Sequence, residues 1–214
     1  MQDKKNIIDC YSKTARKYAE KFSDELSLKY FDRIYLKAFA DRNKSKGRIL
    51  DIGCGTGHIS KFLYDCGCSQ VTGIDLSPGM IGVARNLYPD LSFETGDMLS
   101  LPNEDQSIYG AIAMYSIIHF DYQAIEKAFK EVNRILVLTS DFLVSFHIGD
   151  TILHRDEFLN EEVNIDFHLL NVSTIKDLLT SAGFRIMEII ERYPYPEIEY
   201  QSKRAYILAS KSEP

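Results

Sequence analysis

No stretch of this 214-residue chain is apolar for long enough to cross a bilayer. Its first residues, Met1-Gln-Asp-Lys-Lys-Asn, lead into no long apolar run either, so neither a signal peptide nor membrane attachment is expected, and the expected location is cytoplasmic. Cysteine is scarce, with Cys10, Cys54, Cys66 and Cys68 only. Cys66-Gly-Cys68 is too tight for a Cys-x-x-Cys metal hook and has no second pair, which leaves four reduced thiols and no metal site as the expectation. Basic charge is also in deficit: 25 Lys and Arg against 31 Asp and Glu give a net charge of −6. An acidic chain is a poor match for a polyanion, so a nucleic-acid partner is not expected. No internal repeat or low-complexity tract is present. Ordinary globular material remains, 45% apolar and 26% charged, of a size for one domain with an accessory segment.

The charge deficit is uneven. Residues 1–48 hold 13 basic and 7 acidic side chains, a balance of +6, so residues 49–214 hold 12 and 24, a balance of −12. The basic residues are spread rather than blocked, which fits the solvated outer face of helices; a basic arm for an anionic substrate or RNA is the other reading. Within residues 5–40, Ile7, Ile8, Tyr11, Ala15, Tyr18, Ala19 and Phe22 follow helical spacing, and Leu26, Tyr30, Phe31, Ile34 and Ala38 repeat it after a break at Ser23-Asp24. The spacing predicts an N-terminal cap of two helices over residues 1–46. Beyond it, strands expected at Arg48–Ile52, Gln70–Ile74, Leu91–Glu94, Ile108–Met114 and Asp141–His147 alternate with helices at His58–Asp65, Ser77–Leu87 and Tyr122–Leu136. Such alternation predicts an α/β, doubly wound, mostly parallel sheet over residues 47–214. Residues 149–172 interrupt the pattern and are expected to form a lid or an insertion. A helix at Ser173–Ala182 and two strands, Arg185–Arg192 and Arg204–Ser210, close the chain.

Its most informative run is Arg48-Ile-Leu-Asp-Ile-Gly-Cys-Gly-Thr-Gly-His58, a strand, a three-glycine turn and a helix start. Glycine tolerates positive φ and lets a ligand approach the backbone, while the helix behind it offers free N–H groups. Such a turn suits the anionic or polar part of an adenosine cofactor. The spacing Gly53-x-Gly55-x-Gly57 departs from the Gly-x-Gly-x-x-Gly of dinucleotide folds, with His58 where the third glycine would fall, and the acidic Asp51 precedes the loop.

These two details resemble the first motif of class I S-adenosylmethionine-dependent methyltransferases of the small-molecule type. Val71-Thr-Gly-Ile-Asp75-Leu-Ser-Pro-Gly-Met80, Phe93-Glu-Thr-Gly-Asp97-Met98 and Ile108 through His119-Phe120 resemble the family's next three motifs in order, so the likeness covers about residues 48–148. It implies a Rossmann-like, seven-stranded sheet with an antiparallel C-terminal hairpin. It also implies S-adenosyl-L-methionine as cofactor, S-adenosyl-L-homocysteine as product, and methyl transfer to a small molecule by in-line displacement.

The cofactor residues implied are Asp51, Gly53, Cys54, Gly55 and Gly57 in the loop, Asp75 and Leu76 at the ribose, Met80, Asp97 and Met98 at the adenine, with Tyr115 and Tyr18 beside them. Asp75 also reads as a helix cap and Met98 as core. Tyr115, His119 and His147 are the candidate catalytic residues, with His119 either a general base or simply packed. A tyrosine-rich cap of Tyr11, Tyr18, Tyr115, Tyr193 and Tyr195 suggests an apolar or aromatic acceptor, on a monomer or homodimer. A methyltransferase for RNA or protein, an NAD-dependent oxidoreductase and a cofactor-binding protein without turnover are the competing expectations. One departure from the resemblance is Ile135-Leu-Val-Leu-Thr-Ser-Asp141, where many small-molecule members carry Pro-Gly-Gly. No Asn-Pro-Pro-Tyr-type acceptor motif occurs, which argues against amide or adenine methylation.

Overall fold

The apolar runs pair into one seven-stranded sheet in the computed structural model, which describes residues 3–213. Its strands are β1 (Ile49–Ile52), β2 (Val71–Asp75), β3 (Ser92–Thr95), β4 (Ile108–Met114), β5 (Leu136–His147), β8 (Phe184–Arg192) and β9 (Arg204–Lys211), in the order β3-β2-β1-β4-β5-β9-β8. The first five are parallel, and β9 lies antiparallel between β5 and β8. This is the expected Rossmann-like sheet. Period-two alternation divides its side chains between two cores. Leu50, Ile52, Ala111, Phe142, Val144 and Ile207 join one face, with Phe129 and Val132 of α6 (Tyr122–Ile135) and Leu179 of α7 (Val172–Ser181). Ile49, Ile112, Leu143 and Tyr206 join the other, with Leu36 and Phe39 of α3 (Tyr30–Asn43) and Leu63 of α4 (His58–Asp65).

Local signals explain where helices begin. Ser77 caps α5 (Pro78–Leu87), its hydroxyl accepting the Met80 N–H at 3.2 Å, with proline at the first helical position. Asp121 and Asn171 cap α6 and α7 in the same way. The N-terminal region holds three helices rather than two: α1 (Lys4–Phe22), α2 (Glu25–Leu28) and α3. The break at Ser23-Asp24 is present, and a second falls at Lys29, whose ψ of 70° leaves the helical region. α1 lies closely against α5 because Gly79 has no side chain; a Cβ there would stand 2.6 Å from the Ser12 Cα.

Residues 149–172, expected as a lid or an insertion, contain a hairpin, β6 (Ile152–Phe158) and β7 (Glu161–His168), separate from the main sheet. Lys17 of α1 holds its turn through Glu161 at 2.6 Å. The strand expected from Asp141 instead starts at Leu136, directly after α6. Between the pairs Ile108↔Leu136 and Gly110↔Asp141, β4 advances two residues while β5 advances five, so β5 bulges where Pro-Gly-Gly was missed. Exposed Thr139 sits in that bulge at φ 65°, a left-handed conformation that β-branched residues resist. Thr139→Gly is therefore expected to stabilise the protein by about 1 kcal/mol, because the left-handed penalty of roughly 1–2 kcal/mol exceeds the entropy cost of glycine. Chemical denaturation checks it: a lower midpoint would mean that Thr139 is not strained.

Among the described residues, no helix is long and apolar enough to cross a membrane, and no group of three His, Cys, Asp or Glu side chains could hold a metal ion.

Candidate active site

The C-terminal ends of β1, β2 and β4 open onto one cavity at the point where the strand order reverses, the place where doubly wound sheets bind ligands. The glycine turn forms its floor, with Gly53, Gly55 and Gly57 at φ 74°, 54° and 85°. At Gly53 the requirement is twofold, since a Cβ would also stand 2.3 Å from the Ser116 Cβ. The Gly53 and Cys54 N–H groups donate to the Ile74 carbonyl at 2.7 and 3.0 Å, tying the turn to β2. Asp75, at the tip of β2, accepts the Gly55 N–H at 2.9 Å and the Ser77 N–H at 2.8 Å, one on each carboxylate oxygen. Burial pushes its carboxyl above the usual range.

Asp51 is buried on β1 and accepts the Ser60 hydroxyl at 2.6 Å. Burial raises its carboxyl to about 6, with the Ser60 hydrogen bond opposing. A cationic ligand beside Asp51 is therefore held more tightly once the carboxyl ionises, so affinity is expected to rise with pH through about 6, by up to about tenfold per pH unit below it. Asp51→Asn should flatten that profile. Calorimetric titration across the range checks it, and a profile that stays steep in the variant would assign the proton elsewhere.

The β4 tip carries the other wall. Tyr115 adopts φ 54°, with its N–H donating to the Ser145 carbonyl at 3.0 Å. Its ring is held from behind. Tyr206 donates its hydroxyl to Asp32 at 2.6 Å, so Tyr115 donates to Tyr206 across 2.8 Å. Arg192 completes the buried network at 2.7 Å from Asp32. The spread of its members from α3 to β9 leaves this network without a mark in the sequence.

His119 lies beyond Tyr115 in the short turn after β4. Its Nδ1–H donates to the Asp166 carbonyl of β7 at 3.0 Å, which leaves Nε2 to accept the Tyr11 hydroxyl at 2.7 Å. Burial lowers its pKa to about 4, so it is neutral at physiological pH. Tyr11 and Tyr18 of α1 close the cavity from above, and Phe158 and Phe167 of the hairpin pack on Tyr11 and His119 at 6.1 and 5.0 Å.

The cavity thus gathers Asp51, Gly53, Cys54, Gly55, Asp75, Leu76, Met80, Asp97, Met98, Tyr115, Tyr18 and His119. Two of the expected cofactor-binding and catalytic residues lie outside its lining. Gly57 shapes the turn from beneath, where a Cβ would stand 2.6 Å from the Phe93 ring. His147 packs behind Tyr115 at 5.0 Å and bonds the Ser202 hydroxyl at 2.8 Å. Tyr193 is 74% exposed and Tyr195 packs on Tyr30, so neither joins the cavity. Asp97 takes the Leu99 N–H at 2.9 Å on one oxygen and pairs with Lys4 of α1 on the other. Glu25 and His58 also line the cavity, and no sequence motif singled them out as a pair.

Fold and site define a doubly wound protein with a cavity formed by a glycine turn and an acidic strand tip. Residues 49–137 match the methyltransferase domain family. An O-methyltransferase of Pyrenophora dematioidea is 29% identical over 174 residues, 75% of this chain and 62% of that protein. A demethylmenaquinone methyltransferase of Chlorobaculum parvum is 35% identical over 89 residues, 42% of this chain and 36% of that protein. The chain thus spans less than two thirds of the length of these relatives. A solved S-adenosylmethionine-dependent methyltransferase of Methanosarcina mazei superposes with a TM-score of 0.70 at 21% identity, covering 78% of this chain and 93% of that one. The family match thus covers residues 49–137, and the chain shares its fold with that solved methyltransferase.

Proposed function

We propose that the protein transfers a methyl group from S-adenosylmethionine to a small apolar or aromatic acceptor in the cytoplasm. The observation that carries this reading is the single cavity in which the glycine turn and Asp75 meet an aromatic wall of Tyr11, Tyr18 and His119. The residues fit such a cofactor. Asp75 offers carboxylate oxygens for ribose hydroxyls, Met80 and Met98 offer apolar faces for adenine with Asp97 beside them, and the Gly53–Gly55 backbone admits close approach. When bound, the cofactor supplies an electrophilic methyl group on a sulfonium.

The chain's own part is alignment and proton handling. The Tyr115–Tyr206–Asp32 chain keeps the Tyr115 ring at the cavity wall. His119 stays neutral, with Nε2 as a basic atom facing Tyr11; an acceptor hydroxyl that displaces Tyr11 would meet the same lone pair. A base of such low pKa suits an acidic hydroxyl, such as a phenol or enol, better than an aliphatic alcohol. The names of the relatives, an O-methyltransferase and a demethylmenaquinone methyltransferase, agree with small acceptors. Four unpaired cysteines agree with a reducing compartment.

Calorimetric titration with S-adenosylmethionine, S-adenosylhomocysteine and NAD tests the cofactor, followed by a methyl-transfer screen over phenols, enols and quinols. Binding of the two sulfur compounds alone, with transfer to a member of that screen, is the expected result. Tight NAD binding, or cofactor binding with transfer only to RNA or protein, would overturn it.

A further inference from the structure

One end of the cavity carries polar groups that the protein itself leaves incompletely satisfied. Glu25 is the first residue of α2, and His58 is the first residue of α4, directly after the glycine turn. Both line the cavity, with side chains 16% and 6% exposed. Glu25 Oε1 lies 3.1 Å from His58 Nε2, and its Oε2 lies 2.6 Å from the Lys29 ammonium. Burial pushes the Glu25 carboxyl up, but the His58 and Lys29 hydrogen bonds outweigh it and bring the pKa to about 2, so the carboxylate is ionised. With Nε2–H donated to that carboxylate, Nδ1 of the neutral His58 ring is an acceptor. It is buried and has no hydrogen-bond partner among the described residues. The hydroxyl of Ser116, which also lines the cavity, is buried and without a partner among the described residues in the same way.

Buried polar atoms in folded proteins are normally satisfied, and each orphan costs stability. Two orphans on residues that line one cavity point to a ligand that satisfies them. The surrounding charges narrow its chemistry. Glu25 and Asp51 both line this end, so the group entering here carries positive charge and N–H donors. Lys29, already at Glu25, brings a cation close by, and the first turn of α4 offers backbone N–H groups, both suited to a carboxylate. An ammonium and a carboxylate on one carbon satisfy this arrangement together.

We propose that Glu25 and His58 form a recognition site for the zwitterionic α-amino-acid end of the cofactor, which makes α2 of the cap part of the cofactor site. The inference rests on the cofactor reading above. It assigns the ammonium to Glu25 and the His58 Nδ1 lone pair, beside Asp51. The cap thereby discriminates among ligands, because a cofactor that lacks the amino-acid end gains nothing from α2.

The test compares S-adenosylhomocysteine with 5′-methylthioadenosine, which keeps the adenine, ribose and thioether but lacks the amino-acid end. Calorimetric titrations use the full chain, with thermal unfolding of each variant alongside. The parent should bind S-adenosylhomocysteine the more tightly. Glu25→Gln and, separately, His58→Gln should each weaken S-adenosylhomocysteine by about tenfold or more while leaving 5′-methylthioadenosine within about twofold. Should one variant fail to fold, the other carries the comparison. An equal loss for both ligands, or no loss for either, would overturn the assignment. So would a parent that binds the two ligands equally well, although the cofactor reading would then stand. A parent that binds neither would overturn both.

Discussion

Gly53→Ala is expected to lower the melting temperature by roughly 5–15 °C and to weaken cofactor binding at least about tenfold. Two penalties act together. The position requires φ 74°, which costs a residue with a Cβ about 1–2 kcal/mol. The new methyl would also stand 2.3 Å from the Ser116 Cβ, so the β1 turn or the β4 tip must shift, at about 1–3 kcal/mol for overpacking. Either movement deforms the cavity, because both segments line it. Thermal unfolding with calorimetric titration decides the matter. A variant that melts with the parent and binds normally would show that the turn adapts and that its glycine is not needed for shape.

Asp75→Asn is expected to cost about 100-fold in cofactor affinity, corresponding to roughly 3 kcal/mol for charge-assisted hydrogen bonds lost at a buried carboxylate. The substitution keeps the volume but replaces one acceptor with a donor. Asp75 uses one oxygen for the Gly55 N–H and the other for the Ser77 N–H, so the amide must set its NH2 against one of them. Stability should fall as well, by about 1–3 kcal/mol, for the N–H left unpaired. A cofactor whose ribose meets Asp75 loses more than its share of that stability loss. Titration with S-adenosylhomocysteine under conditions where the variant is folded separates the two effects. Unchanged affinity there would leave Asp75 as a loop-organising residue, the other reading its sequence position allows.

Several features were legible because short-range chemistry decides them. Ser77-Pro78 announces a helix start through a side-chain oxygen and a fixed φ, and α5 begins there. The runs at Arg48–Ile52 and Ile108–Met114 read as parallel strands, and the strands that form there pair with each other. The three-glycine turn, Asp75 and Asp97 stood out because each lies at or just beyond the end of a strand in an alternating pattern, and strand ends on one side of a parallel sheet converge.

Other features escaped for equally physical reasons. The β5 bulge has no proline or glycine to mark it, since Thr139 takes the left-handed conformation that glycine usually announces. In the hairpin, β6 is mostly solvent-exposed and lacks apolar alternation, so although Val163, Ile165 and Phe167 alternate in β7, no apolar partner strand beside it marked a pair. His147 ends β5 as expected, but the antiparallel neighbour β9 and the loop before it draw its ring toward Ser202, behind Tyr115.

The amino-acid sequence by itself determined the doubly wound sheet, the glycine turn and the acidic strand tips, because these depend on periodicity and on conformations only certain residues adopt. Tertiary structure alone decided which distant side chains meet. Tyr11 reaches His119 across 108 residues, Tyr206 reaches Asp32 across 174, and Glu25 reaches His58 across 33. Hydrogen bonds of that kind leave no periodic trace along the chain. They arise when packing of the cap and the C-terminal strands brings buried polar atoms together, and burial then keeps His119 neutral and the Tyr11 and Tyr206 hydroxyls protonated.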